Sequence, residues 1–215
     1  MAHISPLPPE DIPHLQERLD MARQLMGFVP NSMPTMARVP GLVEAFSDLA
    51  AAVLANPKVP VTLCEMVAQI ASSAAGCRYC QAHTTHIAGH LGIPEEKLAD
   101  LWLWETSEHF DDAERAALTL AFHAASVPNT VTEEHFDELR RHYDDEQILV
   151  IVGTISFFGF LNRWNDTLAT DLEDEPFGTG ERVLNAAGWQ PGKHRQHSPR
   201  RAKPTDTTAV RKALQ

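Results

Sequence analysis

The stretch VTLCEMVAQIASSAAGCRYCQAH, residues 61–83, decides the fold class. Its first part places Met66, Val67, Ile70, Ala71 and Ala74 on one side of a helix that Pro60 can open. Gly76 ends or bends that run. A second helix then carries Cys77 and Cys80 and continues to about Leu91, with Gly92 as its stop and Pro94 starting the next piece. Working outward, Ile12, Leu15, Leu19, Ala22 and Met26 draw one apolar stripe, and Leu42, Phe46, Leu49 and Val53 draw another. Asp111 with Glu114, and Asp144 with Gln147, have the spacing of capping boxes. They open helices over about 112–126 and 145–171, and Thr132 caps one over about 133–143. No segment alternates with period two between turn residues. The pattern predicts an all-α bundle over residues 1–175, followed by a Gly/Pro-punctuated basic tail over 176–215 that is mostly loop.

The net charge is −11, unevenly spread. Residues 191–215 hold seven Lys/Arg and one acid, so residues 1–190 carry a net −17. An acidic body of this kind repels nucleic acid and anionic membranes. No run approaches the ~18–20 uninterrupted apolar residues of a membrane span. The N-terminus lacks the basic and apolar regions of a secretory signal. A cytoplasmic protein that binds neither nucleic acid nor membrane is the expectation.

Three cysteines, Cys64, Cys77 and Cys80, are too few for a disulfide scaffold. Cysteines at i and i+3 on a helix are neighbours across one turn and can exchange between dithiol and disulfide. A helix start favours the thiolate, which is the nucleophile of thiol chemistry. His83 lies one turn beyond Cys80, where it can take the thiol proton and return it to a leaving oxygen. Glu65 sits in a mostly apolar helix, so it needs a partner; orienting His83, or bridging to it through water, is one use, and a salt bridge to Arg163 another.

The segment Glu65…Gly76-Cys-Arg-Tyr-Cys-Gln-Ala-His-Thr84 resembles the carboxymuconolactone decarboxylase-like superfamily, in its alkylhydroperoxidase D-like branch. Gly27-Phe-Val-Pro-Asn31, Pro40-Gly-Leu-Val-Glu-Ala-Phe46 and Phe157-Phe-Gly-Phe-Leu-Asn-Arg-Trp-Asn165 are similar to it too, so the likeness spans about residues 20–172. It implies an alkylhydroperoxidase D-like helical bundle, a homo-oligomer, and peroxidase or disulfide-reductase activity without haem, metal or other cofactor. It further implies that Cys80 attacks a small hydroperoxide and becomes a sulfenic acid, and that Cys77 resolves it as a disulfide. Glu65 and His83 are then the proton relay, and an external dithiol reductant completes the cycle. Relatives that decarboxylate a lactone lack the cysteine pair. The chain departs from the pattern at Thr84, where the relay histidine usually stands, and at Tyr79 between the cysteines.

Plainer readings stand beside these. The two cysteines could pack as small hydrophobes, as Cys64 is expected to do. With His83 and either His86 or His90 they could bind structural zinc, although one continuous helix surrounds a tetrahedral ion poorly. His86 and His90 fit a solvent-facing or interface stripe. Phe157, Phe158, Phe160 and Trp164 fit a core or interface. A non-enzymatic helical oligomer switched by its dithiol is a further class.

Overall fold

The computed structural model describes residues 2–195. Helix α4 (Val61–Ala74) is buried from Leu63 through Ser72, which makes it the axis of the core. A helix with an apolar surface all round must be enclosed by others. Three do so: α5 (Arg78–His90), α7 (Asp112–Ala125) and α9 (Asp145–Leu168). The remaining helices are α1 (Gln16–Met26), α2 (Ser32–Met36), α3 (Leu42–Leu54), α6 (Glu95–Ala99), α8 (Glu133–Leu139) and α10 (Asp174–Thr179). Among the described residues there is no strand, and the protein is an all-α bundle.

The link between α4 and α5 is only Ala75, Gly76 and Cys77. Gly76 has φ +75°, a left-handed conformation that glycine adopts without strain. Ser72 O and Ser73 O accept the Cys77 and Gly76 N–H groups at 3.0 and 3.1 Å, so the chain reverses within one turn. Helix α5 therefore runs back along α4. Both predicted capping boxes are present, with Asp111 and Asp144 each accepting from the backbone N–H three residues on. The helices they open end at Ala125 and Leu168. Ala169 turns left-handed at φ +50° and stops α9 three residues short of the expected end. Similarly, α8 closes at Leu139 rather than near 143.

Helix α9 is long and apolar enough to cross a membrane, with a mean hydropathy of 1.3. In the fold it packs against α3, α4, α5 and α7 and buries Thr154, Asn162 and Asn165 in the core.

Over residues 176–195 the structure differs from the expectation of loop. Helix α10 runs into this stretch, a π-helical turn follows over Gly180–Leu184, and 3-10 turns span Asn185–Ala187 and Gly192–His194. This strap packs on α5. Trp189 is buried, and its Nε1–H donates to Arg78 O at 3.2 Å. His194 is buried against Thr170 O at 2.9 Å, and its own carbonyl accepts from Leu172 N at 2.8 Å. The apolar anchors Val183, Leu184 and Trp189 outweigh the Gly/Pro punctuation that suggested loop. Residues 196–215, with five of the seven tail Lys/Arg, lie outside the described residues.

Candidate active site

Cys77 is the N-cap of α5, and its Sγ accepts the Cys80 N–H at 3.5 Å. Cys77 thus stands at the start of the helix and Cys80 within its first turn. Both are unbridged thiols and both are buried, with Cys80 2% exposed. Burial, reinforced by the neighbouring Cys77, pushes the Cys80 thiol well above its ordinary value. Asn165, on α9, opposes this by directing its Nδ2–H at Cys80 Sγ across 3.6 Å. Cys80 thus rests as a thiol, and its chemistry requires a base and a donor to the thiolate.

His83 supplies a base candidate one turn along α5. Its Nε2 lies 2.6 Å from Glu173 Oε2. Glu173 Oε1 accepts the Tyr79 hydroxyl at 2.9 Å and the Asn31 backbone N–H at 2.5 Å. Burial alone would raise this carboxyl. The charge and hydrogen bond of His83, with the backbone N–H groups, outweigh it and hold Glu173 below the usual carboxylate range. The Tyr79 ring stacks on His83 at 4.1 Å, and Phe28 meets the same ring edge-on at 5.1 Å.

The Glu65–His83 pairing is corrected on this point: the carboxylate hydrogen-bonded to His83 is Glu173, from the turn after α9. Glu65 is buried on α4 with no hydrogen-bond partner for Oε2, and desolvation pushes its pKa up to about 8. It is therefore a neutral acid at pH 7 rather than a charge that orients an imidazole. The alternative partner, Arg163, instead donates to Gly159 O at 3.3 Å. Residue spacing carried no sign of Glu173, which lies 90 positions from His83. Asn165 stood in a stretch quoted for its family likeness, but nothing in its spacing aimed it at a thiol.

The other histidines of the stripe turn elsewhere. His86 is buried and its Nδ1 meets Thr179 Oγ1 at 2.9 Å, while His90 is exposed beside it. They line a cavity of about 720 Å³ between α5, α6, α10 and the Gly180–Leu184 turn. Among the described residues, no group of three or more His, Cys, Asp or Glu side chains is placed to hold a metal ion. The zinc reading lacks its ligand set there. Cys64 packs in the core, its thiol raised by burial. Phe157 and Phe158 are core residues, and Phe46 stacks on Phe157 at 5.0 Å. Phe160 and Trp164 stack on each other at 5.8 Å on the outer side of α9.

A helical bundle that seats a buried Cys-x-x-Cys pair at the start of its second core helix defines the alkylhydroperoxidase D-like class. The chain belongs to the carboxymuconolactone decarboxylase family, whose model matches residues 40–123. That range includes Glu65, both cysteines and His83, but neither Asn165 nor Glu173. The debrominase Bmp8, in a cysteine-to-alanine variant in complex with 2,3,4-tribromopyrrole, is 37% identical with a TM-score of 0.80. The match covers 84% of this chain and 96% of that one. A peroxidase-related protein with an alkylhydroperoxidase AhpD core, from Ralstonia eutropha JMP134, is 26% identical with a TM-score of 0.69 over 81% of this chain and 95% of its own. YdfG of Bacillus subtilis strain 168 is 32% identical over 91 residues, which span 42% of this chain and 60% of YdfG.

Proposed function

We propose that this protein is a dithiol enzyme that reduces small hydroperoxides. The observation that carries the reading is the buried Cys77–Cys80 pair, with Asn165 at Cys80 Sγ and His83 one turn away. His83 takes the proton of the Cys80 thiol. The thiolate attacks the distal oxygen of the hydroperoxide, forming an S–O bond and breaking the O–O bond. The leaving alkoxide receives the proton from His83, giving an alcohol and Cys80 sulfenic acid. Cys77 then attacks that sulfur, forming the disulfide and releasing water. Two electrons pass from the dithiol to the peroxide, and an external dithiol restores the pair. The proposal includes a cytoplasmic homo-oligomer as the working form, with no haem, metal or other cofactor.

Hydrogen peroxide added to the reduced protein should remove two thiols per chain without intermolecular crosslinks. Cys80→Ser should abolish turnover, and Cys77→Ser should leave a trappable sulfenate on Cys80. Full turnover by Cys80→Ser would sink the assignment of the attacking sulfur. One stoichiometric oxidation that changes only oligomeric state would instead favour a non-enzymatic redox switch.

A second reading, reductive dehalogenation, is supported by the 37% identity to a debrominase across nearly its whole chain. The electron count is the same: the dithiol becomes a disulfide, the C–Br carbon takes a proton, and bromide and a proton leave. Bromide release from 2,3,4-tribromopyrrole, compared with peroxide consumption at equal thiol loss, separates the two substrates.

A further inference from the structure

We infer that Glu173 is the positioning carboxylate of the thiol site, holding His83 in the tautomer whose Nδ1 is the base for the cysteine turn. The inference rests on the hydroperoxide reading only for the rate it alters; the tautomer belongs to the resting protein.

Glu173 accepts from three groups: His83 at 2.6 Å, Tyr79 at 2.9 Å and the Asn31 N–H at 2.5 Å. Its net shift is downward despite burial, so it is ionised at neutral pH. An ionised carboxylate is an acceptor only, so His83 Nε2 must carry a proton. In neutral His83 the lone pair then lies on Nδ1. A helical side chain leans back over the turn N-terminal to it. The Tyr79 ring, four residues back and stacked at 4.1 Å, gives that direction. That lean directs the His83 ring towards the α5 turn that includes Cys80. Phe28 closes against the same ring edge-on. When Nδ1 takes the thiol proton, Glu173 faces the resulting imidazolium, as the carboxylate of a hydrolase triad does.

Glu173 is itself fixed from outside α5. It is the N-cap residue of α10, where its backbone carbonyl accepts the Phe177 N–H at 3.1 Å, and the chain before it is tied by Asn31 Nδ2 to Asp171 O at 2.9 Å. The positioning group thus stands immediately before the C-terminal strap, beyond the family-matched residues 40–123.

The test uses the full chain, reduced and labelled with ¹⁵N, at pH 8. Long-range ¹H–¹⁵N spectra of the imidazoles, with the His83 signals identified by their loss in His83→Asn, should give the Nε2–H tautomer. In Glu173→Gln they should move towards a tautomer mixture. Dithiol oxidation by hydrogen peroxide should slow by about 10²-fold in Glu173→Gln, and Glu173→Asp should recover part of it. A wild-type Nδ1–H tautomer overturns the inference whatever the variants do, including a Glu173→Gln chain that fails to fold. An unchanged oxidation rate in Glu173→Gln also overturns it. If hydrogen peroxide leaves the wild-type dithiol untouched, the hydroperoxide reading falls, and the tautomer comparison still decides the role of Glu173.

Discussion

At Cys80 two opposing effects meet. Burial and the adjacent Cys77 favour the neutral thiol, and the Asn165 amide favours the thiolate. Burial wins in the resting protein, so Asn165 acts mainly on the state reached after proton removal. Hydrogen bonds to charged groups contribute about 1.5–3 kcal/mol. Asn165→Ala should therefore slow alkylation of Cys80 by iodoacetamide by at least about tenfold, read by peptide mass spectrometry at Cys80 in a Cys77→Ser background, where Cys64 is the other thiol. Equal alkylation rates would mean that the 3.6 Å contact has no electrostatic effect on the sulfur. The cysteines and His83 were legible because helical neighbours are encoded in spacing. Asn165 and Glu173 were not, because each reaches α5 from a distant element, 85 and 90 positions along the chain. Glu65 was legible as a buried carboxylate needing explanation. Its partner was not legible, because an apolar helix shows that a carboxyl is buried, not which side chain it faces.

At the scale of elements, the capping boxes at Asp111 and Asp144 and the Gly76 break were read correctly, since local hydrogen bonding and backbone freedom determine them. The strap reads as loop in sequence because Gly and Pro recur through it at short intervals. Its order comes instead from a few tertiary anchors, above all Trp189. Gly180 makes that anchor possible. A Cβ at this position would lie 2.7 to 3.0 Å from three atoms of the Trp189 ring. The ring is held at its other end by the bond to Arg78 O, so it cannot retreat without losing that contact. Gly180→Ala should consequently loosen the strap, with an overpacking cost of about 1–3 kcal/mol. The readout is faster protease cleavage between residues 180 and 195, together with a shift of the tryptophan emission. An unaltered cleavage rate would show that the strap absorbs the methyl without undocking. Because Glu173 precedes this strap, the same variant should also slow dithiol oxidation.

For the whole molecule, the bundle encloses, among the described residues, a carboxyl group that it does not solvate. Glu65 lies on the central helix with Oε2 unpartnered, and its pKa moves from 4.5 to about 8 through desolvation alone. The sign follows from proton counting. Between those two values the folded chain keeps the Glu65 proton and the unfolded chain releases it, so the folded state binds more protons. Stability from this group is complete below pH 4.5 and declines as the pH rises towards about 8. The slope is at most about 1.4 kcal/mol per pH unit for one group. For a chain of this size that corresponds to roughly 3 °C in Tm per unit. Glu65→Gln keeps the shape and removes the ionisation. Thermal unfolding of both proteins from pH 5 to 8 should give curves that diverge, the wild type losing Tm faster with rising pH. Every other titrating group is common to both chains, so the difference between the curves isolates Glu65. Parallel curves would mean that the Glu65 carboxyl is solvated or paired in solution, and that the neutral acid beside the dithiol helix does not exist at pH 7.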